Sequence, residues 1–182
     1  MEPGKVKVVD TNPDGKIDAD DRIIYKQDPD FIASFNTSLR YRGLEFFMDW
    51  YALVGGYKTN KYLYDSNAGG SLQGKNNGVK VNYWTPLNPT GVFPRPSLNS
   101  NTTYQNDLSI TKASYLRLRT VSLGYSLPKA RFLSKVGISS AKVTLSATNL
   151  LTFMEYLSYS PETSTGTYPE AKQYVASFNL TF

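Results

Sequence analysis

Cysteine and histidine are both missing from this sequence of 182 residues. Without cysteine there is no disulfide framework, no thiolate metal site and no cysteine nucleophile. Without histidine, zinc chemistry and His-dependent acid-base or triad catalysis lose their usual residues, which leaves only carboxylate, Ser/Lys or Tyr chemistry to an enzyme. The chain is therefore expected not to be an enzyme. No window approaches the roughly 18 uninterrupted apolar residues of a membrane helix. A β-barrel is untouched by that absence, because its strands alternate apolar and polar positions. Nor is there a dense basic run: the net charge of +5 comes from scattered Lys and Arg, which argues against nucleic acid as a partner. Met1 is followed by Glu2, Pro3, Gly4 and charged residues rather than a basic start and an apolar stretch, so if the protein is exported its targeting signal is expected upstream.

Aromatic residues, by contrast, make up 14% of the chain, and most are tyrosine. Such residues favour half-buried strands and membrane interfaces. An all-β reading follows, and period two supports it. From Phe31 to Tyr41 the positions Phe31, Ala33, Phe35, Leu39 and Tyr41 alternate with Ser34, Asn36, Ser38 and Arg40. Arg42 and Gly43 form a tight turn, after which Leu44, Phe46, Met48, Trp50, Ala52 and Val54 share one face opposite Glu45 and Asp49. A third strand is expected over Tyr115 to Leu127, where Leu116 and Leu118 have the opposite parity to Val121, Leu123, Tyr125 and Leu127. A bulge or a membrane-boundary crossing near Thr120 would reconcile the two halves. A fourth strand is expected over Ala141 to about Leu151. The last places Tyr174, Ala176, Phe178, Leu180 and Phe182 on one face. Each has roughly the 9–11 residues that a tilted strand needs to cross hydrocarbon.

The connections alternate in length: a short turn at Arg42 and Gly43, a long stretch from Gly55 to Ser114, an intermediate turn from Pro128 to Ser140, and a loop from Met154 to Lys172. Short periplasmic turns and longer external loops are the pattern of outer-membrane barrels. A soluble β-sandwich shows the same strand alternation, but a connection of roughly 60 residues is long for a compact soluble domain. The alternative kept open is thus a secreted calcium-binding β-sandwich module for adhesion or carbohydrate binding. The expected division is residues 1–30 as an external loop and residues 31–182 as a barrel segment.

The run Asp10-Thr11-Asn12-Pro13-Asp14-Gly15-Lys16-Ile17-Asp18-Ala19-Asp20-Asp21 carries oxygen donors at loop positions 1, 3, 5, 9 and 12, with glycine at 6. A hard cation takes six to eight oxygens. Glycine permits the sharp turn, position 7 gives a backbone carbonyl, and position 12 closes the shell. Asp10, Asn12, Asp14, the Lys16 carbonyl, Asp18 and Asp21 are accordingly candidate ligands of a structural calcium ion. Asp21 stands where a helix-loop-helix site has glutamate, so the loop looks more like the dockerin-type variant. The plain alternative is an Asp/Asn/Gly-rich turn that needs no ion.

Several stretches together resemble the C-terminal region of the SusC/RagA-type TonB-linked outer-membrane proteins. They are Val9 to Asp18, Pro29 to Phe31, Asn82-Tyr83-Trp84-Thr85-Pro86 with Phe93-Pro94-Arg95-Pro96-Ser97, Ala113 to Arg119, Val121 to Pro128, Thr148-Asn149-Leu150-Leu151-Thr152-Phe153, and the terminal Phe182. Residues Tyr57 to Val81 and Glu155 to Lys172 match less well.

The resemblance implies the C-terminal strands of a large antiparallel transmembrane barrel in the cell outer membrane. That barrel would have about 22 strands and a plugged lumen, and would be incomplete in this chain. It further implies a transporter of nutrients such as oligosaccharides or peptides, a SusD-like lipoprotein partner, and energy from the TonB complex through an upstream region. Tyr174, Phe178, Leu180 and Phe182 resemble the C-terminal signal read by the barrel assembly machinery; equally, they suit an aromatic girdle. Arg40, Arg117 and Arg119 are expected in the lumen or at a water boundary, paired with plug carboxylates or hydrating the wall. An arginine at the lipid midplane costs roughly 2–4 kcal/mol. Tyr83 and Trp84 are candidates to stack on sugar rings or to pack the long loop on its neighbours.

Overall fold

The computed structural model describes residues 2–60, 81–97, 107–128, 135, 137–156, 159–163 and 167–182. Most of the expected turn from Pro128 to Ser140, and the centre of the long connection, lie outside the described residues. Among the described residues no helix is long and apolar enough to cross a membrane, which says nothing of crossing by strands. The chain divides into two compact units. One comprises 30–54, 114–154 and 168–182; the other gathers 1–29, 55–113 and 155–167. The second unit thus draws on three segments, where the sequence suggests a separate loop over residues 1–30 alone.

The first unit is one antiparallel sheet in the order β1-β2-β5-β6-β7. Its strands are β1 (Phe31–Tyr41), β2 (Leu44–Val54), β5 (Tyr115–Ser126), β6 (Ser140–Met154) and β7 (Gln173–Thr181). β6 runs three residues beyond the expected Leu151, because Thr152, Phe153 and Met154 find partners in Arg117, Leu116 and Tyr115. β1 and β2 form a hairpin whose turn residues Arg42 (φ 46) and Gly43 (φ 86) are both left-handed. That conformation matches the right-handed twist of the paired strands.

The parity change in β5 is a bulge. Asp49 pairs with Thr120, but its neighbour Trp50 pairs with Leu118, leaving Arg119 as the extra residue. On the next strand Leu118 pairs with Leu151 and Thr120 with Thr148, so Asn149 and Leu150 both face the level of Arg119. Asn149 takes the left-handed conformation there (φ 53), which asparagine tolerates better than most residues. Each successive strand therefore gains one residue at the same height. Leu116 and Leu118 are returned to the face of Trp50 and Ala52.

The second unit contains a small sheet of β3 (Tyr57–Thr59) and β4 (Ile110–Lys112). The Gly55–Ser114 connection is thus structured at its base. Asn60 N–H donates to Ser109 O at 2.6 Å, Tyr156 Oη to Thr59 O at 3.4 Å, and Lys58 Nζ to Pro161 O at 2.6 Å. Asn60, Ser109 and Ser160 are buried alongside Tyr156.

Candidate functional site

The register sorts the large sheet into two chemically distinct faces. On one, Phe31, Ala33, Phe35, Leu39 and Tyr41 oppose Val54, Ala52, Trp50, Phe46 and Leu44. The same face continues through Leu123, Val121, Leu118 and Leu116, then Leu145 and Phe153, to Ala176, Phe178 and Leu180. Most of these side chains are not covered: Phe35 is 59% exposed, Leu145 56% and Phe178 73%, while Leu118 beside the bulge is buried. The only other sheet among the described residues has two strands of three residues, far too small to cover such a face as the second layer of a sandwich.

The opposite face carries Ser34, Asn36, Ser38 and Arg40 beside Asp49 and Glu45, then Ser122 and Gly124, then Thr144, Ser146 and Lys142, and finally Ser177 and Asn179. Its apolar members are Phe47, Tyr51 and Val175, with Ile32, Leu53, Tyr115 and Met154 gathered at one end of the strands. Each of the three singled-out arginines has a contact within the chain. Arg40 lies 3.9 Å from Glu45. Arg117 is buried, donates from Nε to Thr152 Oγ1 at 3.2 Å, and lies 3.5 Å from Glu170. Arg119, carried out by the bulge, lies over the Tyr51 ring at 3.5 Å. Tyr51 in turn lies 5.9 Å from Tyr115.

At the end of the chain Tyr174, Phe178 and Leu180 share the apolar face of β7, through Ala147, Val143 and Ala141 on β6. Phe182 stands just past the strand and is 82% exposed.

The acidic loop is organised by its own backbone. Gly15 N–H donates to Asp10 Oδ2 at 2.8 Å, Lys16 N–H to Asp14 Oδ1 at 2.8 Å, and Asp14 N–H to Asn12 Oδ1 at 3.2 Å. Gly15 has φ 83, the conformation for which glycine is wanted at position 6. Asp21 accepts from Asp18 N–H at 2.9 Å and from Thr11 N–H at 2.7 Å. These bonds, that from Asp18 foremost, hold its carboxyl below the usual carboxylate range. Asp18 caps the short helical turn Ala19–Asp21. Among the described residues no three acidic side chains gather into a cation cage. One atom is left over: Asp10 Oδ1 is buried with no hydrogen-bond partner.

Tyr83 bridges to Phe93, and Trp84 N–H donates to Phe93 O at 2.7 Å. Both aromatic residues are half-buried. Gly4 (φ 79) lets the backbone approach the Trp84 ring, since a Cβ there would lie 2.6 Å from it. Burial raises the Tyr83 phenol above its ordinary range. Trp84 lines a groove together with Thr11, Asp18 and Asp21 of the acidic loop, and Tyr83 does not. The contact of Tyr25 with Asp107, where the hydroxyl donates to Oδ2 at 2.6 Å, had no signal in the sequence because 82 residues separate the two.

A single open antiparallel sheet with one bare apolar face and one polar face defines the wall of an incomplete transmembrane β-barrel. No family model matches the chain. TonB-dependent receptor P3 of Formosa agariphila is 30% identical over 198 residues, covering 100% of this chain and 19% of that receptor. TonB-dependent receptor SusC of Bacteroides thetaiotaomicron is 27% identical, covering 96% of this chain and 17% of SusC. A solved structure of the RagAB peptide transporter superposes with a TM-score of 0.70 at 30% identity, covering 99% of this chain and 20% of that one. The chain is a relative of the SusC/RagA-type TonB-dependent receptors, matching their C-terminal barrel portion and spanning about a fifth of their length. Its location is that of these receptors, the outer membrane. The relatives are receptors and importers, not enzymes.

Proposed function

We propose that the chain forms part of the wall and external loops of a transporter that imports nutrients such as oligosaccharides or peptides. A SusD-like surface lipoprotein delivers the cargo, and the TonB complex, engaged through a region upstream of these residues, supplies energy. The observation that carries this reading is the bare apolar face of the five-stranded sheet, continuous from Phe31 to Leu180. Lipid satisfies such a face. The unpaired edges of β1 and β7 require neighbouring strands, because open edges in lipid cost several kcal/mol for each unsatisfied group.

The experiment is to delete residues 140–182 from the full-length receptor and follow uptake of oligosaccharides and peptides by cells. Loss of uptake together with loss of lipoprotein co-purification is expected; unchanged uptake overturns the reading. The terminal face of Tyr174, Phe178, Leu180 and Phe182 serves as the signal for the assembly machinery. Removing Phe182 alone should lower the amount of receptor in the outer membrane without altering its synthesis. Trp84 and Tyr83 pack the loop unit, and Trp84 also presents its ring to the groove.

In the same unit we assign Asp10, Asn12, Asp14, the Lys16 carbonyl, Asp18 and Asp21 to a structural calcium ion. The donor set is all oxygen, as a hard cation demands, and the unpartnered Asp10 Oδ1 supports the assignment. When bound, the ion would draw these carboxylates together, neutralise them and tie residues 10–21 to one another. Calorimetric titration of the full-length receptor with calcium should show a site that Asp10→Ala removes. Equal calcium uptake by wild type and variant would rule it out.

A further inference from the structure

The cations are scattered along the sequence, but the strand order gathers them. Every Asp and Glu except Glu45 and Asp49 lies in residues 1–30, 55–114 or 155–172, the segments that precede or join the strands at one end of the large sheet. The other end is that of the β1–β2 turn. It carries Arg40, Arg42 and Lys142, and the connection of residues 128–140 from β5 to β6 holds Lys129, Arg131 and Lys135 in its sequence with no Asp or Glu. Glu45 is the acidic side chain at this end, and Lys142 at 2.6 Å and Arg40 at 3.9 Å already share it. The carboxylate that ends the sequence at Phe182 follows β7, three strand spacings or roughly 14 Å from β2. Salt screens most of its pull at that range.

Arg42 stands apart from the ion-paired group. Its guanidinium lies over the Tyr41 ring, 5.2 Å from the centroid, and among the described residues its side chain meets no carboxylate. Tyr41 is on the apolar face of the sheet opposite Leu44, which pairs in turn with Tyr125. These three side chains are 69%, 43% and 44% exposed. The turn that carries the cation is fixed on its neighbour, since Ser126 N–H donates to Gly43 O at 2.8 Å. A Cβ at Gly43 would lie 2.8 Å from Ser126 O, so glycine permits that approach. A permanent cation is thereby held against a ring of the bare apolar face, at the very end of the strands.

We propose that the β1–β2 turn binds the phosphate of an anionic phospholipid in the leaflet at that end. Arg42 takes the phosphate, for which a guanidinium offers a planar pair of donors. The Tyr41 and Tyr125 rings lie at headgroup depth, as aromatic residues do at membrane interfaces, and the acyl chains run along Leu44 and the apolar face beyond it. The excess of cations around the turn favours a headgroup of net negative charge over a zwitterionic one. Lipid fits better than an acidic protein, because Arg42 lies against the apolar face, whereas Arg40 and Lys142 are paired on the polar one. The inference rests on the sheet being a membrane wall and not on what the receptor imports.

The test uses the full-length receptor with a bimane fluorophore at Phe46→Cys, reconstituted in phosphatidylcholine bilayers. Quenching by phosphatidylglycerol with a nitroxide on its acyl chain is compared with quenching by phosphatidylcholine labelled in the same way. The phosphatidylglycerol should be preferred at least about fivefold, the share of one cation at an anionic headgroup. Arg42→Asn, which suits the left-handed backbone there, should remove most of that preference. Salt at about 1 M should weaken it with Arg42 in place, and this measurement decides the matter if the variant does not assemble. Equal quenching by the two lipids, or a preference that Arg42→Asn leaves in place or that salt does not weaken, would overturn the proposal and turn the cations toward a water-side partner, with the wall intact. Quenching by neither lipid would instead remove the wall, and this inference with it.

Discussion

The ammonium of Lys142 reaches the carboxylate of Glu45 at 2.6 Å, although their strands β6 and β2 are separated by β5. The contact passes over Gly124, the β5 residue opposite Glu45. A Cβ at Gly124 would lie 3.2 Å from Lys142 Cε and 3.4 Å from Thr144 Oγ1. The missing side chain is therefore the opening through which the pair forms. Both partners are roughly a third exposed, so water and salt screen their attraction.

A double-mutant cycle of Glu45→Gln and Lys142→Met should give a small favourable coupling that falls as salt is added. The readout is the urea midpoint of the refolded full-length receptor. Coupling that does not change with salt would show that the two side chains interact by packing rather than charge.

The bulge at Arg119 makes a sharper prediction. Deleting Arg119 shifts Leu116 and Leu118 onto the polar face and Tyr115 and Arg117 onto the apolar one, since one residue of slip exchanges the faces of a strand. Assembly into the membrane should be abolished, as an arginine facing lipid costs roughly 2–4 kcal/mol. Arg119→Ala keeps the register and should assemble, as judged by heat-modifiable migration on gels. Equal assembly of the two variants contradicts the bulge.

The long strands were legible in the sequence because period two reports which face a residue occupies. The parity conflict between Leu118 and Val121 even located the bulge to within a residue of Arg119. The matching irregularity at Asn149 was not legible, because it follows from the register of a neighbouring strand. In the acidic loop, spacing revealed the donors and the turn at Gly15, but not that both Asp21 oxygens are taken by N–H groups. The small sheet of β3 and β4 escaped notice for another reason. Three residues are too few to establish a period, and the partners lie far apart in sequence.

Tyr25 illustrates a contact that chemistry can test directly. Its hydrogen bond to Asp107, with burial adding to it, pushes the phenol up to about 12. The folded value is above the ordinary one, so this contribution to stability is present below about pH 10 and is lost as pH rises through about 12. Spectrophotometric titration should show one late tyrosine that Asp107→Asn brings back toward the ordinary range. Tyr25→Phe should cost the loop unit about 1 kcal/mol.

For Asp21 the sign is opposite. Its folded value is depressed, so its contribution is present above the usual carboxylate range and disappears as pH falls through the lower folded value. Protection of residues 10–22 from hydrogen exchange, taken relative to the intrinsic amide rate at each pH, should fall on acidification in the wild type. In Asp21→Asn it should already be low at neutral pH, and a variant as protected as the wild type would remove Asp21 from the loop's support.

The most direct test of the two-faced wall uses nitroxide labels, which the absence of cysteine makes simple to place in this chain. Labels at Phe35, Leu145 and Phe178 of the full-length receptor in bilayers should be reached by oxygen and shielded from a nickel chelate, with the reverse at Asn36, Thr144 and Ser177. Chelate access to both sets alike would contradict a wall that meets lipid on one side and water on the other.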